Sequence, residues 1–228
     1  YPLIRWFHRP SRAVMVSTDI VIRELHERGF RNLVKWSRGV DMAQFDGRLR
    51  TARCRDIGEN PVFLYVGRIA VEKNIEAFLK LALPGEKWLA GDGPALESLS
   101  VEYPDAVFLG AKSHDELAEI YRQADVFVFP SKTDTFGLVL LEALASGLPV
   151  AAYPVAGPLD VLAGCGAAAL RHDLLEACLS ALDLDPKLAI EHASRYSWQA
   201  TTREFLNNLY PNTVRNQSGN ASLPSHGA

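Results

Sequence analysis

The feature that most constrains this chain is an alternation of short apolar, β-branched runs with stretches of helical periodicity. The runs are "RAVMVS" (12–17), "NLVKW" (32–36), "PVFLYVG" (61–67), "KWLAG" (87–91), "AVFLG" (106–110), "DVFVFP" (125–130) and "PVAAY" (149–153). In "VFLYV" and "VFVF" no charge falls on either alternating face. A strand that is apolar on both faces must be covered on both, which calls for a parallel sheet between two helical layers. The intervening stretches supply the helices. "STDIVIRELHERG" has Ser17 or Thr18 as a cap and Gly29 as a stop, "EKNIEAFLKLA" follows the third run, and "SHDELAEIYRQA" places Ser113 and Glu116 at capping-box spacing. The expected fold is α/β, a Rossmann-like parallel sheet with helices on both faces and a helical C-terminal segment.

Residues 1–45 hold two of the runs and one helix. The stretch "SRGVDMAQFDGRLRTARCRDIGENP" then interrupts the pattern, a compact unit spans 61 to about 170, and helix dominates to about Tyr210. Residues 211–228 are polar and read as a disordered tail, with Asn216 and Asn220 as chance sequons. With 228 residues, 48% hydrophobic and 22% charged, one or two domains can bury a core. A net charge of −3 gives no global attraction to nucleic acid or an anionic membrane. No apolar run reaches the roughly 18 residues of a membrane span, and the basic, aromatic opening "YPLIRWFHRPSR" lacks a signal peptide's apolar core. Cys54, Cys165 and Cys178 are odd in number and lack metal-ligand spacing, which reads as free thiols in a reducing cytoplasm.

In such a sheet ligands bind at the carboxyl ends of strands, so four loops matter. In "VGRIAVEKN", Gly67 ends a strand and Arg68 and Lys73 flank a helix start, a pair suited to a polyanion or else two solvated cations. In "LAGDGPALESL" the dinucleotide fingerprint fails, because Leu96 stands where a third glycine is required. What remains is a turn through Gly93 that admits a ligand's approach or only reverses the chain. In "FLGAKSHDEL", Gly110 and Ala111 offer backbone to a flat base or simply make a turn, and His114 belongs to a surface helical turn. In "DVFVFPSKTDTFGLVLLEALASG" a helix begins near Phe136 and Gly137, leaving free N–H groups that an anion can approach. Glu142 lies inside that apolar helix and must find donors, either a structural Arg or Lys or the vicinal hydroxyls of a ligand.

Three other features carry less. The acid pair in "DLD" (183–185) lies between two helices rather than after an apolar strand and reads as a solvated loop. The six histidines form no ligand spacing, so no metal is expected. No Ser or Cys occupies a glycine-flanked strand-to-helix elbow of the hydrolase kind.

Taken together, "RGVD", "GRIAVEKN", "GDGP", "FLG", "ADVFVFPS" and "DTFGLVLLEALASGLPV" resemble, in order and spacing over about 200 residues, the retaining glycosyltransferases of family 4 with the GT-B fold, chiefly their C-terminal half. The resemblance implies a nucleotide-diphospho-sugar donor, no cofactor and no metal. It implies Arg68 and Lys73 on the diphosphate, with N–H groups at Thr135, Phe136, Gly137 and Leu138 completing the grip. Glu142 would bind the ribose diol, Asp134 the donor sugar, Gly110 and Ala111 the base, and Gly67 and Gly93 would shape the donor site. Arg68, Lys73 and Asp134 would be the catalytic set. Asp134 stands where the family usually has Glu, one carbon longer.

The resemblance also implies an N-terminal acceptor domain, of which residues 1–45 would be the trailing part. Residues 46–60 would then be the interdomain linker, 61–196 the donor-binding domain and 197–210 a helix crossing back. A chain lacking the acceptor site would bind donor and transfer little. Two rival readings are a non-catalytic nucleotide-sugar binding module and a sugar-nucleotide epimerase. The joint presence of Arg68, Lys73, Asp134 and Glu142 speaks against the first, and the "GRIAVEKN" and "DTFGLVLLEALASG" pairing against the second. The "SRGVD…TDTFGLV" pattern is similar to bacterial enzymes that glycosylate membrane lipids. A cytoplasmic protein, peripheral at the inner face of the membrane, is therefore expected, with no nucleic-acid partner. The opening stretch either serves that contact or packs within the absent domain.

Overall fold

The computed structural model describes residues 1–49 and 60–209. The expected tail, Cys54 and most of the expected linker lie outside the described residues. The first part comprises α1 (Pro2–His8), β1 (Val14–Val16), α2 (Asp19–Glu27) and β2 (Leu33–Lys35). β1 and β2 form a two-stranded parallel sheet with Val14 opposite Leu33. Of the two candidate caps Thr18 is the one used, its hydroxyl accepting from the Val21 N–H at 3.3 Å. α1 buries none of its residues, and Leu3, Ile4, Trp6 and Phe7 are all exposed.

The main body runs β3 (Val62–Val66), α3 (Ile75–Leu79), β4 (Glu86–Ala90), α4 (Leu96–Glu102), β5 (Val107–Gly110), α5 (His114–Gln123), β6 (Val126–Phe129), α6 (Leu138–Ala145), β7 (Val150–Ala152), α7 (Ala156–Val161) and β8 (Ala168–Leu170). The helices α8 (Leu174–Ala181), α9 (Pro186–Ser194) and α10 (Trp198–Leu209) follow. Six strands pair in parallel in the order β5-β4-β3-β6-β7-β8. Every residue of β3 and β6 is buried. Val62, Leu64 and Val66 enter a core layer with Tyr121, Leu140 and Leu144, while Phe63 and Tyr65 enter a second layer with Phe78 and Cys178. Burial of each such side chain favours the fold by about 1.5–3 kcal/mol, and the doubly apolar strands are the sequence counterpart of this two-sided core.

All seven strand runs contain observed strands. β8 was not among them. Its "AAL" has no β-branched residue, yet the central position is buried between layers. The expected helix in "EKNIEAFLKLA" is preceded by a 3-10 turn, Val71–Lys73, that ends at Asn74 with φ 55°. Glycine is required where "GDGP" meets the β3 loop: a Cβ on Gly91 would lie 1.9 Å from the Gly67 carbonyl oxygen.

Candidate functional site

The strand order reverses direction at β3 and β6, and at that point the crevice beyond the strand ends is the expected ligand position. The loops leaving these two strands are tied to each other. Asn74 Nδ2 donates to the Pro130 carbonyl at 3.0 Å, and the Thr133 hydroxyl donates to the Glu72 carbonyl at 3.4 Å. The Tyr65 hydroxyl donates to the Arg68 carbonyl at 2.8 Å, and burial, with the charges of Asp134 and Glu72, pushes that phenol's pKa up. These contacts place Lys73 Nζ 2.5 Å from Asp134 Oδ1 in a pair about a quarter exposed. Arg68 is more open, and the Glu72 carboxylate lies 3.8 Å from it.

α6 starts beside this pair. Its N-cap is Gly137 at φ 80°, with no side-chain cap hydrogen bond. The opening N–H groups of a helix have no partner within it and carry the positive end of its dipole. α7 closes in from behind: a Cβ on Gly157 would lie 2.6 Å from the Asp134 carbonyl oxygen, so this glycine lets the helix press against the loop.

A cavity of about 550 Å³ opens here. Its lining takes in Gly67, Arg68, Lys73, Asp134, Thr135, Phe136, Gly137 and Leu138. Thus cations, helix N-terminus and loop acid share one space. The other four residues singled out in the sequence lie outside the lining. Gly93 packs on the β3 loop, where a Cβ would lie 2.3 Å from the Ile69 carbonyl oxygen. This accounts for the glycine by close backbone approach. Gly110 ends β5 at φ 71° with open space around it, and Ala111 is exposed beside it.

Glu142 sits on α6 and takes its protein hydrogen bond from the Tyr121 hydroxyl at 3.1 Å. The structural donor is therefore a tyrosine, where charge reasoning had named Arg or Lys. Burial pushes the Glu142 pKa up, while Tyr121's hydrogen bond and His114 hold it down. Tyr121 is fully buried, edge-on to Phe45 with centroids 5.8 Å apart.

The cavity residues to which sequence reasoning assigned no role include Arg38, Gly39, Tyr65, Ser131 and Trp198. Arg38 and Gly39 belong to "RGVD", which flagged the segment without telling what it faces. The chain crosses itself here, the Val40 N–H donating to the Tyr196 carbonyl at 2.9 Å and Val40 bridging to Ser197. A Cβ on Gly39 would lie 2.8 Å from the Trp198 ring, so glycine lets the indole lie across the crossing.

Among the described residues no group of three or more His, Cys, Asp and Glu side chains is placed to hold a metal ion. Asp185 caps α9 by accepting from the Lys187 N–H, in keeping with a loop role for "DLD". His114 is the exposed first residue of α5. Cys165 and Cys178 are free thiols. No helix of the described residues is long and apolar enough to cross a membrane.

A family model described as "Glycosyl transferases group 1" matches residues 60–183. The sulfoquinovosyl transferase SQD2 of Arabidopsis thaliana is 32% identical over 92% of this chain and 46% of its own length. A GDP-mannose-dependent alpha-mannosyltransferase of Mycobacterium tuberculosis is 36% identical over 69% of this chain and 44% of its own. The chain thus spans less than half the length of these curated relatives. Among solved structures, Anabaena HepE in complex with UDP and glucose superposes with a TM-score of 0.70 at 17% identity, covering 89% of this chain and 64% of that one. The parallel sheet with helices around it is the fold shared with these GT-B glycosyltransferase neighbours.

Proposed function

The chain belongs to the group 1 glycosyl transferases, and from that membership we propose that it binds a nucleotide-diphospho-sugar for transfer of a hexosyl group, with retention of configuration and without a metal ion, to an acceptor that is a membrane lipid. The observation that carries the reading is the convergence of Arg68, Lys73 and the uncapped start of α6 on one cavity beside Asp134. As the sugar–phosphate bond breaks, negative charge grows on the diphosphate. Two cations and a helix N-terminus fixed there stabilise that charge more in the transition state than in the ground state. Asp134, the ion-pair partner of Lys73, turns its carboxylate to the sugar hydroxyls. Glu142 accepts from the ribose diol, and the open backbone at Gly110 and Ala111 holds the base. Acceptor attack on the face the phosphate leaves, with that phosphate taking the acceptor's proton, accounts for retention without a protein nucleophile.

Because this chain spans less than half the length of these relatives, the acceptor site is assigned to polypeptide beyond this chain, and the 228 residues alone should bind donor with little turnover. Peripheral membrane contact at the cytoplasmic face belongs to the same proposal, supported by the exposed Leu3, Ile4, Trp6 and Phe7 beside Arg5 on α1. Titration calorimetry with UDP, GDP and ADP sugars tests the donor assignment. One of them should bind, and Arg68→Ala and Glu142→Ala should each weaken binding about tenfold or more. Unchanged affinity in both variants refutes it. Transfer by the longer enzyme that is abolished by a chelator and restored by a divalent ion refutes the metal-free mechanism.

A further inference from the structure

Glu142 is an acid within a buried helical face, and the geometry assigns its neighbour Tyr121 a part in the site. We propose that Tyr121 is a positioning residue for the nucleotide ribose: its hydroxyl fixes one oxygen of the Glu142 carboxylate and leaves the other for the ribose diol. The inference rests on the reading of Glu142 as the ribose acceptor.

The Tyr121 hydroxyl donates to Glu142 Oε2. Oε1 takes no donor among the described residues, and it is not among the buried polar atoms left without a partner, so solvent reaches it. One oxygen is thus committed and its twin is open. Packing holds Tyr121 in place. It is fully buried, edge-on to Phe45 and tilted against Phe127, both at 5.8 Å between centroids. A rigid donor on a rigid ring sets the plane of the carboxylate before any ligand arrives, which reduces the ordering cost on binding. A carboxylate so oriented accepts from two hydroxyls on adjacent carbons and loses one bond when either is missing, which makes the pair a reader of ribose against deoxyribose.

The same contact favours the charged form of the acid. Burial favours the neutral carboxyl, and a donated hydrogen bond opposes that. The helices packed against α6 carry Asp160 on α7 and Lys187, Glu191 and His192 on α9, with Arg195 just past its end, and the groups that lower the Glu142 pKa are Tyr121 and His114 of α5. Without the hydroxyl, Glu142 should protonate at a higher pH, and the acid limb of donor affinity should move up with it.

The test is calorimetric titration of the 228-residue chain with UDP and GDP and with their 2′-deoxy forms, across pH. The parent should prefer the ribonucleotide by about tenfold. Tyr121→Phe keeps the ring and its packing, so its melting temperature should stay near the parent's. It should bind the ribonucleotide about five- to tenfold more weakly, with little change for the deoxynucleotide and an acid limb displaced upward. In a Glu142→Gln background the same substitution should add nothing. If Glu142→Gln abolishes ribose preference while Tyr121→Phe preserves both preference and pH limb, the positioning role is overturned and the ribose assignment stands. If Glu142→Gln leaves ribonucleotide affinity unchanged, or neither nucleotide binds, the ribose assignment fails and this inference with it. If Tyr121→Phe unfolds, Tyr121→Met must show the same loss of ribose preference and the same displaced limb, and their retention overturns the proposal.

Discussion

Lys73 and Asp134 show why single residues here act in two capacities. Each neutralises the other at 2.5 Å, so a diphosphate meets a lysine already partnered by an acid. Asp134→Asn should therefore tighten binding of bare UDP or GDP, by about threefold for a pair that solvent partly screens. It should also shrink the additional affinity conferred by the sugar. Titration of nucleotide and nucleotide-sugar in parallel separates the two effects, and weaker binding of the bare nucleotide would contradict this role. These residues were legible in the sequence because each follows an apolar strand or opens a helix, and chain-local pattern reports such junctions. Tyr121 was not legible as the partner of Glu142, since it is 21 positions away on another helix. Which faces of two helices meet is decided by packing across the sheet.

At the scale of elements, a buried polar contact joins α9 to the end of α7. His192 Nε2 lies 2.7 Å from the Val161 carbonyl, while Nδ1 is buried without a partner. The neutral ring donating from Nε2 satisfies this arrangement. Burial lowers the His192 pKa from 6.5, against the raising effect of the Val161 contact. The unfolded chain then binds the proton at a higher pH than the folded one. The stability is fully present above pH 6.5 and is lost as pH falls toward the lower folded value. His192→Gln should flatten that dependence: between about pH 7.5 and about pH 5.5 its melting temperature should fall less than the parent's. An equal fall would remove His192 as the cause. Element types were largely readable, because doubly apolar strands and the Ser113–Glu116 capping box, present as spaced, are local signals. β8 was not, because alanines carry no strand preference of their own and only the layers above and below give them a place.

For the molecule as a whole, polar side chains on α10 and α7 hold the segment of the small parallel sheet against the main body. The Glu204 carboxylate accepts from the Ser37 N–H at 3.0 Å and from the Ser37 hydroxyl at 3.3 Å, Asn208 Nδ2 donates to the Lys35 carbonyl at 3.3 Å, and Asp160 accepts from the Ile20 N–H at 3.0 Å. Glu204→Ala removes two of those hydrogen bonds, a loss of about 1–3 kcal/mol. It should speed amide exchange in residues 33–40 and in α10 while β3 and β6 remain as protected as before. Uniform deprotection of the chain would show instead that the two sheets unfold as one. The crossing of Val40 with Tyr196 and Ser197 lies between them, and its flanking residues Arg38 and Trp198 are also wall of the cavity. A ligand touching that wall bears on the joint. Reciprocity then follows from the shared free energy: whatever factor the posture of the first sheet applies to ligand affinity, the ligand applies to that posture.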